Sequence, residues 1–290
     1  MIATVLRDFF SSSSFYLPAA RSGILQGHKL IAGVVLSRVP LLGIEALNVG
    51  QLSGVVADFI SNVINLQAGQ RTEKIGKIAD FLEKEMVHGI IERKTGSGKA
   101  ETPEIYYKVN GQEFPLHRTS SMVSEIAPIV LFLRHLVREG DLLIIEEPEA
   151  HLHPDNQRVV ARAIVKLVRS GVRVLVTTHS DYFVQQISNF VRLGGSAELR
   201  QKMNYGRNDY LSVDEVGAYL FKMEDPSKGS TVERLDVTAD EGIAEDEFVN
   251  IAQEIYDESI TLEPRLCTHL SLFCGCRLNS GPHRFGWSTS

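Results

Sequence analysis

The stretches DLLIIEEPEAHLHP, residues 141–154, and VRVLVTTHSDYF, residues 172–183, decide the fold of this chain of 290 residues. Each opens with a short apolar run of strand length and ends in polar residues. Between them, residues 155–170 place apolar side chains at helical spacing and stop at Gly171. Continuous apolar strands joined by a helix are typical of a parallel sheet that is covered on both faces. The sequence therefore predicts an α/β fold with a mainly parallel sheet.

Two adjacent acids, Glu146 and Glu147, follow the first apolar run directly. A strand of this kind places the residues after it at the carboxyl edge of the sheet, where open α/β folds bind ligands. Packing does not explain the pair, because burying unpaired carboxylates is costly. One acid could hold Mg²⁺ while the other orients and deprotonates an attacking water. The alternative from these residues alone is a strand that ends in solvated acids.

His179 ends the second strand, in the run Thr177-Thr178-His179-Ser180. A strand–helix–strand connection sets the two strands side by side, so we expect His179 to emerge next to Glu147. An imidazole at that place can donate a hydrogen bond to a phosphate oxygen. The alternative is a histidine with a purely structural role.

The segments before this block predict a helical insertion and antiparallel hairpins. Within residues 28–92, apolar side chains recur at three- and four-residue steps. Residues 88–116 change to short alternating runs separated by Gly-rich turns and by Asn110-Gly111, which is typical of hairpins.

A further helix is predicted to open at Ser120 and Ser121 and to end at Gly140, with Pro128 marking an early turn or a kink. Towards the carboxyl end the pattern predicts a strand pair around residues 214–237 and then a helix over DEFVNIAQEIYDE. After Glu263 the composition shifts to Cys, Ser, Gly, His and Pro without periodicity, and we expect an irregular tail.

Composition indicates a soluble protein of the cytoplasm. The formal net charge of −6 argues against a general affinity for nucleic-acid phosphates, although a local basic patch would still permit DNA binding. No apolar run approaches the roughly 20 residues that span a bilayer. The amino terminus, with an acid close behind Arg7, is a poor signal peptide.

The three cysteines, Cys267, Cys274 and Cys276, all fall in the last segment, which fits a reducing compartment. A Cys-x-Cys pair with His269 nearby leaves zinc binding as an alternative. That alternative lacks a second cluster of paired ligands.

The motifs LLIIEEPEAHLHP and LVTTHSDYF resemble the Walker B, D-loop and H-loop of ABC-type ATPases in the OLD-nuclease and RecF-like branch. FYLPAARSGI near the start and TSSMVSE before the long helix are similar to segments of the same group. The resemblance covers roughly residues 15–260 and is strongest from Walker B to the H-loop. It implies a partial P-loop NTPase fold that uses ATP and Mg²⁺.

The assignment of each role to a particular residue follows from the resemblance. It implies that Glu146 is the acid associated with Mg²⁺, that Glu147 is the catalytic glutamate, and that His179 is the switch histidine. The segment from His151 through His153 to Pro154 would form the D-loop at a dimer interface.

Ser120 and Ser121 match the signature motif, whose hydroxyl and helix-start amides bind the γ-phosphate held by the opposite protomer. Met122 stands where many relatives have glycine, which puts a close backbone approach in doubt. The alternative is that Ser121 is merely the N-cap of the helix. Arg21 is a candidate to approach nucleotide or the neighbouring protomer, or else to cap a helix.

The resemblance also suggests how the chain divides. We expect three segments: an ATPase portion over 1–205 (helical 28–92, hairpins 88–116, core 117–195), a small α+β extension over 206–262, and a tail over 263–290.

A phosphate-binding loop is not recognisable in this sequence. Thr95-Gly96-Ser97-Gly98-Lys99 has Arg93 where the motif needs glycine and Ala100 where it needs Ser or Thr, so we interpret it as a turn. Three accounts stay open: a truncated gene product, a split ATPase whose partner chain supplies Walker A, or a degenerate ATPase. We expect the chain alone to hydrolyse ATP weakly or not at all.

The leading hypothesis is an ATPase-family protein that contributes to a nucleotide-sandwich dimer, as a homodimer or with a partner chain, in phage defence or DNA repair by analogy with the family. A second is a non-catalytic partner subunit. A third is a metal-dependent hydrolase that uses the strand-end acids together with His151, His153 and His179. No Toprim-like acidic cluster is recognisable, so nuclease activity has no support.

Overall fold

The computed structural model describes residues 13–27, 53–66, 73–94, 104–225, 227 and 229–271. Its central element is a three-stranded parallel sheet. The strands lie in the order β1 (Ser14–Leu17), β5 (Leu142–Glu146) and β6 (Arg173–Thr177). The α/β class with a parallel sheet, helices and hairpins is therefore confirmed.

Only one face of this sheet is packed among the described residues. Leu143 and Ile145 on β5 are buried, whereas Ile144 is half-buried and its neighbour on β6, Leu175, is 53% exposed. The expectation of a sheet covered on both faces is wrong for this part of the chain. A continuous apolar run does not itself reveal which of its two faces another element covers.

Helices pack against the sheet. Helix α1 (Gly54–Ile64) contacts β1 and helix α4 (Pro154–Arg169) contacts β6, whereas α2 (Glu73–Leu82) packs on α4 and on α3 (Ser121–His135). Phe132 of α3 lies at the centre, with its ring 5.7 Å from that of Phe59 and 6.1 Å from that of Phe15. Pro128 lies inside the continuous helix α3 instead of marking its first turn.

A second, antiparallel sheet follows α2 in the chain. After the π-helical turn Glu83–Val87 come β2 (Ile90–Lys94), β3 (Glu104–Val109) and β4 (Gln112–Pro115), paired in that order. Asn110 and Gly111 adopt positive φ angles of 51° and 77°, as a tight hairpin turn requires. The predicted hairpins are confirmed. The phosphate-loop-like segment 95–99 and much of the predicted helical region, residues 28–52, lie outside the described residues.

The remaining elements are α5 (Asp181–Arg192), α6 (Ala197–Lys202), the hairpin β7 (Ala218–Asp225) and β8 (Gly229–Leu235), the short pair β9 (Val237–Thr238) and β10 (Gly242–Ile243), and α7 (Asp246–Ser271). Two compact units emerge, Met1–Ala244 and Glu245–Ser290. Strand β10 belongs to the first unit because the Ile243 N–H donates to Ser188 Oγ of α5 at 3.1 Å.

Helix α7 runs nine residues into the tail that we expected to be irregular, and ends at Ser271. Cys274 and Cys276 lie outside the described residues. Within the part of the chain that is described, no helix is both long and apolar enough to cross a membrane.

Candidate functional site

The loop after β5 leaves the sheet through a strained residue. Glu147 has a φ of 41°, in the left-handed region that non-glycine residues seldom adopt. Its N–H donates to the Thr177 carbonyl at the end of β6, with an N–O distance of 2.8 Å. The loop therefore stays attached to the neighbouring strand while its chain direction changes sharply. His151 repeats this conformation further along, with a φ of 58°.

Glu149 joins the loops that follow the two strands. One oxygen, Oε1, accepts a hydrogen bond from the Thr178 hydroxyl at 2.6 Å and another from the His179 N–H at 2.9 Å. Glu149 as a whole is only 9% exposed. Glu147 and His179 thus belong to two loops that are held together at one corner of the sheet. The His179 side chain is exposed, and Glu147 is half-buried.

Replacing Glu149 by alanine is expected to lower the free energy of unfolding by about 1.5–3 kcal/mol, because both donors lose a charged acceptor. Glu149→Gln should cost less, since its amide oxygen can still accept from both. Chemical denaturation of the two variants beside the parent chain measures the difference. Equal stability of Glu149→Ala and the parent chain would contradict this account of the loops.

Arg21 donates hydrogen bonds to the backbone of the loop after β5. Its side chain is completely buried, and Nη1 donates to the carbonyls of Glu146 at 2.9 Å and Glu147 at 3.3 Å. Nη2 lies 3.5 Å from the Pro148 carbonyl. A buried guanidinium of this kind offers no free face to nucleotide or to a second protomer. The expectation that Arg21 reaches either one is wrong, and it does not cap a helix.

Glu125 balances the charge of Arg21 inside the protein. The two side chains are 1% and 0% exposed, and Arg21 Nε lies 3.2 Å from Glu125 Oε2. The Ser22 hydroxyl donates to the other carboxylate oxygen, and His151 Nε2 lies 3.9 Å from it. The sequence carried a signal for this pair, because Glu125 is a lone acid ahead of the buried run IAPIVLFL.

Glu146 is oriented by two donors on the first strand and the turn after it. The Ala19 N–H donates to Glu146 Oε2 at 3.2 Å, and the Tyr16 hydroxyl bonds to the same carboxylate. Burial, together with the hydrogen bond to Glu146 and its negative charge, raises the pKa of Tyr16 to about 12. The half-buried Glu146 carboxylate therefore has a fixed direction and keeps further lone pairs for a cation or its water.

The serine pair lies at the start of α3, beside the same loop. Ser120 is the N-cap, with its hydroxyl accepting from the Val123 N–H at 3.4 Å, and Ser121 is the first helical residue. The alternative that assigned the cap to Ser121 is therefore wrong by one position. Both serines are exposed. Asn156 Nδ2 lies 3.1 Å from Met122 Sδ, which joins the beginning of α3 to α4.

His151 and His153 point outwards from the loop, with side chains 66% and 73% exposed. His153 also caps α4, since its Nδ1 accepts from the Asp155 N–H at 3.4 Å. In the described residues, no three His, Cys, Asp or Glu side chains lie close enough together to hold a metal ion.

Comparison with known proteins gives this geometry a family context. The family described as "AAA ATPase domain" matches residues 56–184. The energy-coupling factor transporter ATP-binding protein EcfA2 of Streptococcus thermophilus is 24% identical over 115 residues. That match covers 37% of this chain and 40% of EcfA2, so the chain spans about two fifths of the length of the curated relatives it matches.

Among solved structures, the chain is similar to one described as part of the structural biochemistry of ATP-driven dimerization of SMC ATPases. The two chains are 14% identical, with a TM-score of 0.39, and the match covers 63% of this chain and 92% of that one. The SMC head domain from Thermotoga maritima is 11% identical, with a TM-score of 0.33, and covers 62% of this chain and 52% of that one.

Proposed function

We propose that this chain, whose residues 56–184 match the AAA ATPase domain family, supplies the hydrolytic side of an ATP site and completes that site with a second polypeptide. The observation that carries the proposal is the junction at Glu149, which holds the loop of Glu147 against the loop of His179. A carboxylate and an imidazole held at one sheet edge could act on the same phosphate group. The carboxylate would orient the attacking water, and the imidazole would contact a phosphate oxygen.

The acids divide the chemistry between them. Glu146, directed by Tyr16 and the Ala19 N–H, would hold Mg²⁺ directly or through water. When bound, Mg²⁺ would neutralise charge on the phosphate oxygens. The Glu147 carboxylate has no hydrogen bond or ion pair to another described residue, which leaves it available to orient a water and accept its proton. The exposed His179 imidazole would donate to a phosphate oxygen.

Ser120 and Ser121 would bind the γ-phosphate of a nucleotide held mainly by the other polypeptide. The first turn of a helix has N–H groups without intrahelical partners, and its dipole favours negative charge there. Both hydroxyls are exposed, as contact with a second chain requires. The capping bond to Val123 leaves the Ser120 hydroxyl proton free to donate.

The second polypeptide would be a chain that contains a phosphate-binding loop. The exposure of the His151 and His153 side chains supports this, because a D-loop in this segment would be open to contact with such a chain. A role in phage defence or DNA repair and a place in the cytoplasm complete the proposal, by analogy with the family.

The test is ATP turnover by the purified 290-residue chain, alone and mixed with candidate partners that contain GxxxxGK[ST]. We expect phosphate release near background for the chain alone, because few groups hold the β- and γ-phosphates, and at least a tenfold rise in the correct mixture. Rapid Mg²⁺-dependent turnover by the chain alone, abolished in Glu147→Gln, would contradict the need for a partner. A stimulated mixture that is indifferent to Glu147→Gln would instead identify a non-catalytic subunit.

A further inference from the structure

A cavity of about 630 Å³ lies on the first compact unit, between α4 and α6. Its lining residues include Arg162, Arg200 and Arg207, together with Gln201, Asn204 and Tyr205. No aspartate or glutamate lines it. Its volume falls within the range of small-molecule sites, roughly 300–1,000 Å³. A cavity lined by cations and amide groups favours an anionic occupant.

The local charge stays positive after the internal pairs are taken into account. Asp209 is the buried acid behind the wall, and it accepts from Arg162 Nε at 2.8 Å and from Lys166 Nζ at 2.8 Å. One carboxylate thus faces two cations. Arg200 and Arg207 add two further positive charges with no carboxylate among their described contacts. This concentration stands out in a chain whose formal net charge is −6.

Two of the guanidinium groups are held in place without using all their donors. Arg162 lies 5.2 Å from the ring centre of Tyr205, and its Nη1 has no hydrogen-bond partner in the described residues. Arg200 stacks 4.6 Å from the Tyr210 ring centre and gives only Nη1 to the carbonyls of Leu193 and Gly194. Because these two side chains are already ordered, they lose less conformational entropy when a ligand binds.

We propose that this cavity binds the phosphate group of an anionic ligand, with Arg162 and Arg200 as fixed contacts and Arg207 as a contact that has no other partner among the described residues. Planar guanidinium groups match the geometry of phosphate oxygens and bind them through paired hydrogen bonds. The aromatic faces next to the cavity are already covered by arginines, which leaves charge and hydrogen bonding as its means of recognition. The lining of this cavity shares no residue with the proposed ATP site at the sheet edge.

The test uses two phosphate sources on the full chain: pyrophosphate, followed by calorimetry, and a fluorescent single-stranded oligonucleotide, followed by anisotropy. Arg207→Ala should weaken binding about tenfold, since it removes one charge-assisted contact. The Arg207 side chain has no hydrogen bond or ion pair in the described residues, so unfolding should be unchanged. Arg234→Ala, an exposed arginine on β8, is the matched control and should bind like the parent chain.

The probe that responds identifies the source of the phosphate. Tight pyrophosphate binding that depends on Arg207 indicates a small phosphorylated ligand, whereas oligonucleotide binding alone indicates a nucleic-acid backbone. Binding that is lost in His179→Ala but kept in Arg207→Ala would place the phosphate at the sheet edge and overturn the proposal. Failure of both probes, or equal binding of polyglutamate, would also overturn it. None of these outcomes depends on ATP turnover.

Discussion

Replacing Arg21 by alanine is expected to lower the free energy of unfolding by about 3–5 kcal/mol, the usual cost of breaking a buried ion pair. The guanidinium lies 3.2 Å from Glu125 with both side chains almost completely buried. Its removal leaves the Glu125 carboxylate without its cation and takes the donor away from the carbonyls of Glu146 and Glu147. Few other positions in the described chain combine so many acceptors on one side chain.

Urea denaturation followed by circular dichroism measures this loss. Arg118→Ala, which removes an exposed arginine near the start of α3, is the matched control and should change stability by less than about 0.5 kcal/mol. The double variant Arg21→Met, Glu125→Leu should lose less than the sum of its two single changes, because no buried charge is left unpaired. Additive losses would show that the two side chains do not stabilise each other.

Glu147→Gln is expected to reduce ATP turnover at least about 100-fold in the completed complex, the lower range for loss of a general base. Glutamine keeps the shape and one acceptor oxygen but cannot take a proton from water. Binding of ATP to the complex should persist, since the Glu147 backbone contact to Thr177 does not involve the side chain. This prediction rests on the proposed function.

Phosphate release with a partner that contains GxxxxGK[ST] provides the measurement. Glu139→Gln changes an exposed acid ahead of β5 and should leave turnover within twofold of the parent complex. If Glu147→Gln retains more than a third of the turnover, the catalytic carboxylate lies elsewhere. A parallel loss of ATP binding would point to damage of the loop instead of loss of the base.

Much of the fold could be predicted because local pattern and tertiary arrangement agree. The apolar runs before Glu146 and Thr177 form adjacent parallel strands, and Asn110-Gly111 forms the predicted hairpin turn. The covering of the sheet could not be predicted in the same way. Leu175 is half-exposed although it belongs to an apolar run that predicts a buried strand. An apolar side chain prefers burial, but the sequence does not show whether another element covers it.

In the candidate site too, some features could be predicted from local sequence patterns and others could not. Glu146, Glu147 and His179 could be selected because strand order brings their backbones to one edge. The contacts of Arg21 could not be predicted, since they join groups more than 100 residues apart in sequence. The left-handed φ of Glu147 could not be predicted either, because non-glycine residues seldom adopt it. Glu149 escaped notice because an acid in a polar loop resembles any solvated acid, whereas here it accepts two hydrogen bonds at a buried position.

The bond from Arg21 to the Glu146 carbonyl spans 125 residues of chain, and β1 pairs with β5 over a similar interval. On a ribosome, the early segment must therefore wait unpaired while everything between is synthesised, at about 5–20 residues per second. Contacts between residues distant in sequence slow folding, because the chain loses the entropy of closing the long loop before any favourable contact forms. The region that we assign to chemistry would consequently be among the last to mature, and the nascent chain would be exposed to aggregation until then.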